Sequence, residues 1–124
     1  MTLLARRALL LVAAGTFVSG VALVVVPGVV LDLLSAPTTT SDKLFFAIIG
    51  MFMAVVGGAL TQTLLASDPS RVVVGWSAVQ KLGASAAMAT AVALDVFSAW
   101  GILLSAFDFS SGVLALYVLW RLEL

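Results

Sequence analysis

Two ionisable side chains stand where an apolar chain rarely keeps them. Lys81 lies ten residues beyond Arg71 in an otherwise apolar stretch, about 15 Å along a helix. Asp108 sits, by the same rise, about 12 Å in from the opposite end of the last apolar stretch. A cation at that depth in hydrocarbon costs about 2.5–3.5 kcal/mol and normally faces protein or trapped water. Ser77, Gln80 and Ser85 are near helical neighbours of Lys81 and give it a polar strip. If the last two stretches form an antiparallel hairpin centred near residues 97–98, Lys81 and Asp108 differ by roughly 9 Å in height. Two bent side chains can span that gap. One reading is chemical: a proton relay, or a site for a quinone or a lipid headgroup. The other is structural: a buried ion pair that fixes helix register, or a lysine reaching back to the near interface. The structural reading is preferred, because a transport pathway needs more polar groups than these.

The rest of the polar inventory is thin. Gln62, with Thr61 and Thr63, offers a headgroup contact that capping and interface solvation explain equally well. The chain has no Cys, His or Asn. That excludes disulfides, Cys- or His-ligated metal and haem sites, His ligation of a chlorophyll-type pigment and N-glycosylation. No phosphate-binding Gly loop, nucleophile elbow or paired carboxylate site occurs, so no catalytic residue and no metal ligand are assigned. A formal net charge of zero removes the electrostatic case for a nucleic-acid partner.

The elements that must position Lys81 and Asp108 follow from composition. Of 124 residues, 63% are hydrophobic and 10% charged, with a mean hydropathy of +1.25. Soluble domains carry about 25% charged residues. Charged residues cut the chain into four apolar stretches: Arg7 to Asp32, Lys43 to Asp68, Arg71 to Asp95, and about Gly101 to Trp120. Each holds roughly 20 residues or more, enough to cross a ~30 Å hydrocarbon layer as a helix. Backbone groups in lipid must be satisfied internally, and the alternation of a β-barrel is absent. The expectation is an all-α, four-transmembrane-helix bundle forming a single domain over 1–124. Its helices would run over about 4–26, 44–66, 69–95 and 101–121, with an interfacial segment over 28–35.

Local signals place the ends. Val26-Pro27-Gly28 ends or kinks the first helix. Thr40 or Ser41 is the expected N-cap of the second, and Ser67-Asp68-Pro69 reads as a compact cap with Pro at the first helical position, making the second and third helices a tight hairpin. Ala5-Arg6-Arg7-Ala8-Leu9-Leu10 looks like a twin-arginine export signal. However, no convincing small-residue cleavage site precedes the polar loop, and three more apolar stretches follow, so an uncleaved first helix is expected. Arg6, Arg7, Arg71 and Arg121 fall on the side of both termini and only Lys43 on the other, which predicts cytoplasmic termini. Trp76, Tyr117 and Trp120 mark that interface, and Phe45, Phe46, Phe97 and Trp100 the far one.

Small residues recur at helical spacing. Gly50, Ala54 and Gly58 do so in the second stretch, Gly83, Ala87 and Ala91 in the third, and Asp108, Gly112 and Ala115 in the fourth. Such stripes let helix backbones approach closely in a solvent that drives helices together only weakly. The third helix is expected to pack inward on Gly75, Val79, Gly83 and Ala87. That would leave Ala84, Ala86, Met88 and Ala89 for a neighbouring helix or the tail of a lipid or pigment.

The order of features resembles a known group. The span closing on Val26-Pro27-Gly28, then Leu44-Phe45-Phe46-Ala47-Ile48-Ile49-Gly50, then Asp68-Pro69-Ser70-Arg71 with Trp76 and Lys81, is similar to small four-helix bacterial membrane proteins near the DoxX-like group. The resemblance covers about residues 27–81. It implies the fold and a link, in some relatives, to quinone-dependent oxidation, but no catalytic residue. Two functional classes remain. One is a non-catalytic accessory subunit of a larger respiratory or photosynthetic complex in a bacterial inner, or equivalent energy-transducing, membrane, touching lipids and other transmembrane subunits. The other is a stand-alone small transporter or quinone-linked oxidoreductase component using Lys81 and Asp108. No intrinsic cofactor is expected; contact with lipid, quinone or pigment is. Little extramembrane mass and smooth helix faces favour the accessory subunit.

Overall fold

The computed structural model describes residues 3–122. Every regular element among them is a helix: α1 (Leu3–Val25), α2 (Pro27–Leu33), α3 (Thr40–Leu65), α4 (Arg71–Ala93) and α5 (Trp100–Leu122). Three of these, α1, α3 and α5, are long and apolar enough to cross a membrane. That corrects the expectation that all four long stretches are apolar enough to cross a membrane. At 23 residues α4 is long enough, but Ser77, Gln80, Lys81 and Ser85 dilute its apolar character.

The helix ends follow local chemistry, with two shifts from expectation. Pro27 lacks an N–H and stands in the first turn of α2. α2 buries Leu31 and leaves Val29 and Leu33 outside. Thr39, not Thr40 or Ser41, caps α3 in a reciprocal box: the Asp42 N–H donates to Thr39 Oγ1 at 3.2 Å, and the Thr39 N–H donates to Asp42 Oδ2 at 3.2 Å. Ser70, not Ser67 or Asp68, caps α4 by accepting from the Val73 N–H at 3.3 Å, so Pro69 lies outside the helix. The hydroxyl of Thr63 explains the shift, since it accepts the Ser70 N–H at 2.6 Å and holds the connection against α3.

Tertiary pairing also differs from the expected hairpin of the second and third spans. α3 packs chiefly on α1, and α4 on α5, with lighter contact between the two pairs. In the first pair the backbones almost touch. A Cβ on Gly20 would lie 2.5 Å from the Ala54 nitrogen, one on Gly50 would lie 2.6 Å from the Gly20 carbonyl oxygen, and one on Gly57 would lie 2.6 Å from the Phe17 nitrogen. The working stripe on α3 is therefore Gly50, Ala54 and Gly57; Gly58 has only the Phe17 ring, at ordinary contact distance. Arg6 closes the end of this antiparallel pair: its Nε and Nη2 donate to the Leu64 carbonyl at 3.1 and 2.8 Å, capping the free carbonyls of α3.

The two pairs meet in an apolar core at one end of the molecule. Ala5, Leu9 and Ala13 of α1, Leu60 and Leu64 of α3, Val74 and Ala78 of α4, and Ala115 and Val118 of α5 form one buried cluster. The same end carries Arg6, Arg71 and Arg121. At the other end Phe46 of α3 meets Phe97 of the α4–α5 connection, ring centroids 6.1 Å apart, and the Ser98 N–H donates to the Leu34 carbonyl at 2.8 Å. Between α2 and α5 an apolar cleft of about 530 Å³ remains, lined by Val30, Leu33, Leu34, Trp100, Leu103 and Leu104.

Close glycine contact makes a direct prediction. Gly50→Val should destabilise the purified protein in detergent by about 1–3 kcal/mol, because the added carbons meet backbone that cannot yield. Gly83→Ala, in open space, should leave the melting temperature unchanged or slightly higher. Equal losses from the two would refute the close α1–α3 approach.

Candidate functional site

Antiparallel register on α4 and α5 brings Lys81 and Asp108 level. Ser85 faces Ser105, so the hairpin is centred at residue 95, where Asp95 turns the chain with a left-handed φ of 59°. The expected centre near 97–98 is thus displaced by two to three residues, and the roughly 9 Å difference in height that followed from it disappears. Lys81 Nζ lies 3.7 Å from Asp108 Oδ1, with side-chain exposures of 5% and 20%. A third helix completes the link: Lys81 Nζ donates to Thr16 Oγ1 of α1. The Thr16 hydroxyl in turn donates to the Val12 carbonyl at 2.9 Å. One ammonium thereby joins α4, α5 and α1.

The remaining strip residues do not converge on Lys81. Ser85 and Ser105 clasp each other one turn away: each hydroxyl donates to the other residue's carbonyl, at 2.9 and 2.8 Å. Ser77 is buried and donates back to the Val73 carbonyl at 2.8 Å. Gln80 is half-buried to one side, and its buried Oε1 has no partner among the described residues. Ser111 donates to the Phe107 carbonyl at 2.8 Å. Magnitudes rank these contacts. A hydrogen bond between helices in a membrane contributes about 0.6 kcal/mol on average, whereas leaving one partner of a buried ion pair alone costs about 3–5 kcal/mol. The Lys81 link dominates and the serine clasp refines.

Rotation of α4 is the main correction. Its buried residues are Val74, Ser77, Ala78, Lys81 and Ser85. Gly83, Ala87 and Val79, expected to face inward, are exposed together with Val72, Trp76, Ala86 and Thr90. Ala84, Met88 and Ala89, expected on the free side, are half-buried. On α5, Gly112 accepts Leu82 so closely that a Cβ there would sit 2.7 Å from the leucine side chain, and Gly101 likewise receives Val92, at 2.6 Å. The glycines that admit large side chains of the partner helix are therefore on α5.

Sequence reasoning missed Thr16, Gly20 and Gly57. Thr16 had a legible signal: it lies nine residues beyond Arg7, much as Lys81 lies ten beyond Arg71, so both stand at the same depth. Chemically, the arrangement satisfies and immobilises a charge. Among the described residues no cluster of three or more acidic, His or Cys side chains could hold a metal ion, and no residue lining the apolar cleft belongs to the Lys81 link. Comparison with protein-family models, with curated proteins and with solved structures gives no match. The resemblance to the DoxX-like group stands on its motif residues alone.

A double-mutant cycle tests the link. Lys81→Met or Asp108→Leu alone should each cost several kcal/mol of stability in detergent, while the two together should cost clearly less than their sum. Simple additivity in thermal melts would dissolve the pair.

Proposed function

We propose that this chain is a multi-pass protein of a bacterial inner, or equivalent, membrane, crossing it four times with both termini in the cytoplasm. Its role is that of a non-catalytic small subunit packing sideways against other transmembrane helices of a larger assembly. Support for α4 as the fourth span comes from the direction of its polar residues. Ser77, Lys81 and Ser85 point into the bundle, so the surface left for lipid is apolar. Support for the orientation comes from the excess of arginine at the end where Arg6, Arg71 and Arg121 gather.

The observation that carries the subunit reading is the outward face of α4. Val72, Trp76, Val79, Gly83, Ala86, Ala87 and Thr90 are all exposed. Its polar groups are the Trp76 indole N–H and the Thr90 hydroxyl, which donates back to the Ala86 carbonyl at 2.8 Å. In the middle of this face a Cβ added at Gly83 would meet nothing within 4 Å. Small-residue faces of this kind let a second helix approach closely. The rival reading, a transporter or quinone-linked component, needs Lys81 and Asp108 to meet a substrate, whereas they engage each other and Thr16.

Native membranes solubilised in mild detergent should yield this protein within a large complex on a native gel. Ala86→Leu or Gly83→Leu should release it while leaving its own stability within about 0.5 kcal/mol of the parent, as surface changes do. Migration of the unsubstituted chain as a monomer would overturn the subunit reading. For orientation, Thr39→Cys should react with an impermeant thiol reagent from the far side only; the background holds no Cys.

A further inference from the structure

We infer that α4 enters the membrane as a dependent of α5, with Asp108 acting as the internal counter-ion that makes Lys81 tolerable in the span. The inference rests on the four-span reading above. α4 is a full-length helix that lacks the apolarity of α1, α3 and α5. Ser77, Lys81 and Ser85 lie on its buried face, and α5 answers two of them, Lys81 and Ser85. Asp108 stands 3.7 Å from Lys81 Nζ, and Ser105 both donates to and accepts from Ser85. Gly101 and Gly112 let Val92 and Leu82 close the contact on either side.

Order along the chain fits a paired entry. α1 comes first and presents Thr16 as an acceptor for the ammonium. α5 follows α4 across a short connection centred at Asp95. A lone lysine at mid-depth opposes insertion by roughly a hundredfold, so α4 by itself stays at the cytoplasmic face. As a hairpin with α5 it goes in with its charge already matched.

Sidedness of the α4–α5 connection reads this out in the full chain. Val96, in that connection, is exposed, and Val96→Cys provides the one thiol. In the otherwise unsubstituted protein an impermeant maleimide should label it from the far side. Adding Asp108→Leu should lower far-side labelling about tenfold and raise labelling from the cytoplasmic side. Adding Lys81→Leu as well should restore the original sidedness, because α4 is then apolar. Unchanged far-side labelling with Asp108→Leu alone overturns the inference and leaves the four-span reading intact. Cytoplasmic labelling of the parent overturns both. If the Asp108→Leu chain is degraded, the double substitution decides: recovery of amount and sidedness supports the dependence, and equal loss refutes it.

Discussion

One ammonium group constrains this molecule more than any other atom. Lys81 is buried in a helix whose outward surface is apolar, and it has acceptors on two other helices, Thr16 on α1 and Asp108 on α5. On the four-span reading, a bare cation at that depth costs more than the hydrogen bonds available to any single serine or threonine recover. The rotation of α4, the register of the α4–α5 hairpin and the docking of that hairpin on α1 must therefore all satisfy one charge. A helix rotated to the face predicted from Gly75, Val79, Gly83 and Ala87 would turn Lys81 outward, away from both acceptors.

Attraction and fit are divided between different residues. Within each helix pair the approach is set by missing side chains: Gly20, Gly50 and Gly57 between α1 and α3, Gly101 and Gly112 between α4 and α5. These contacts are close but carry no directional preference strong enough to select one register. Direction comes from the few polar groups, because a hydrogen bond or ion pair tolerates little displacement. Between the pairs the apolar core is confined to one end, around Leu9, Leu60, Val74 and Val118. At the other end the pairs are tied by the Phe46–Phe97 contact and the Ser98–Leu34 hydrogen bond, beside the apolar cleft between α2 and α5.

What the sequence made legible follows the same division. The helical class, the break at Pro27 and the weight of Lys81 and Asp108 are properties of single residues or of composition, and these read directly. Rotation of α4 did not, because small residues on nearly every face give no periodic apolar signal. The reliable signal was polar: Ser77, Lys81 and Ser85 fall on one side of a helix, and in hydrocarbon the polar side turns inward. Gly57 and Gly58 are adjacent, and spacing alone chose the wrong one. The hairpin centre was misplaced because Asp95, a non-glycine residue with positive φ, closes the turn earlier than a centre near 97–98 implied. The α4 cap moved because Thr63, on the preceding helix, holds the Ser70 amide, a tertiary contact that no local motif announces.

Outward faces differ among the long helices in a way that bears on lateral packing. α1 presents Leu11, Phe17 and Val18, α3 presents Phe52 and Val55, and α5 presents Leu103, Phe107 and Phe109, all exposed and bulky. Branched and aromatic side chains of this size make a rough surface that mobile acyl chains fill more readily than a second rigid helix does. α4 is different between Val79 and Thr90: Gly83, Ala86 and Ala87 leave its backbone accessible, and no bulky side chain interrupts them. The features that weaken α4 as an independent span and those that smooth its outer face lie on opposite sides of the helix. Its polar residues turn inward and its Leu82 and Val92 enter the glycines of α5, and on the proposed reading the small residues left outside are free to meet another helix.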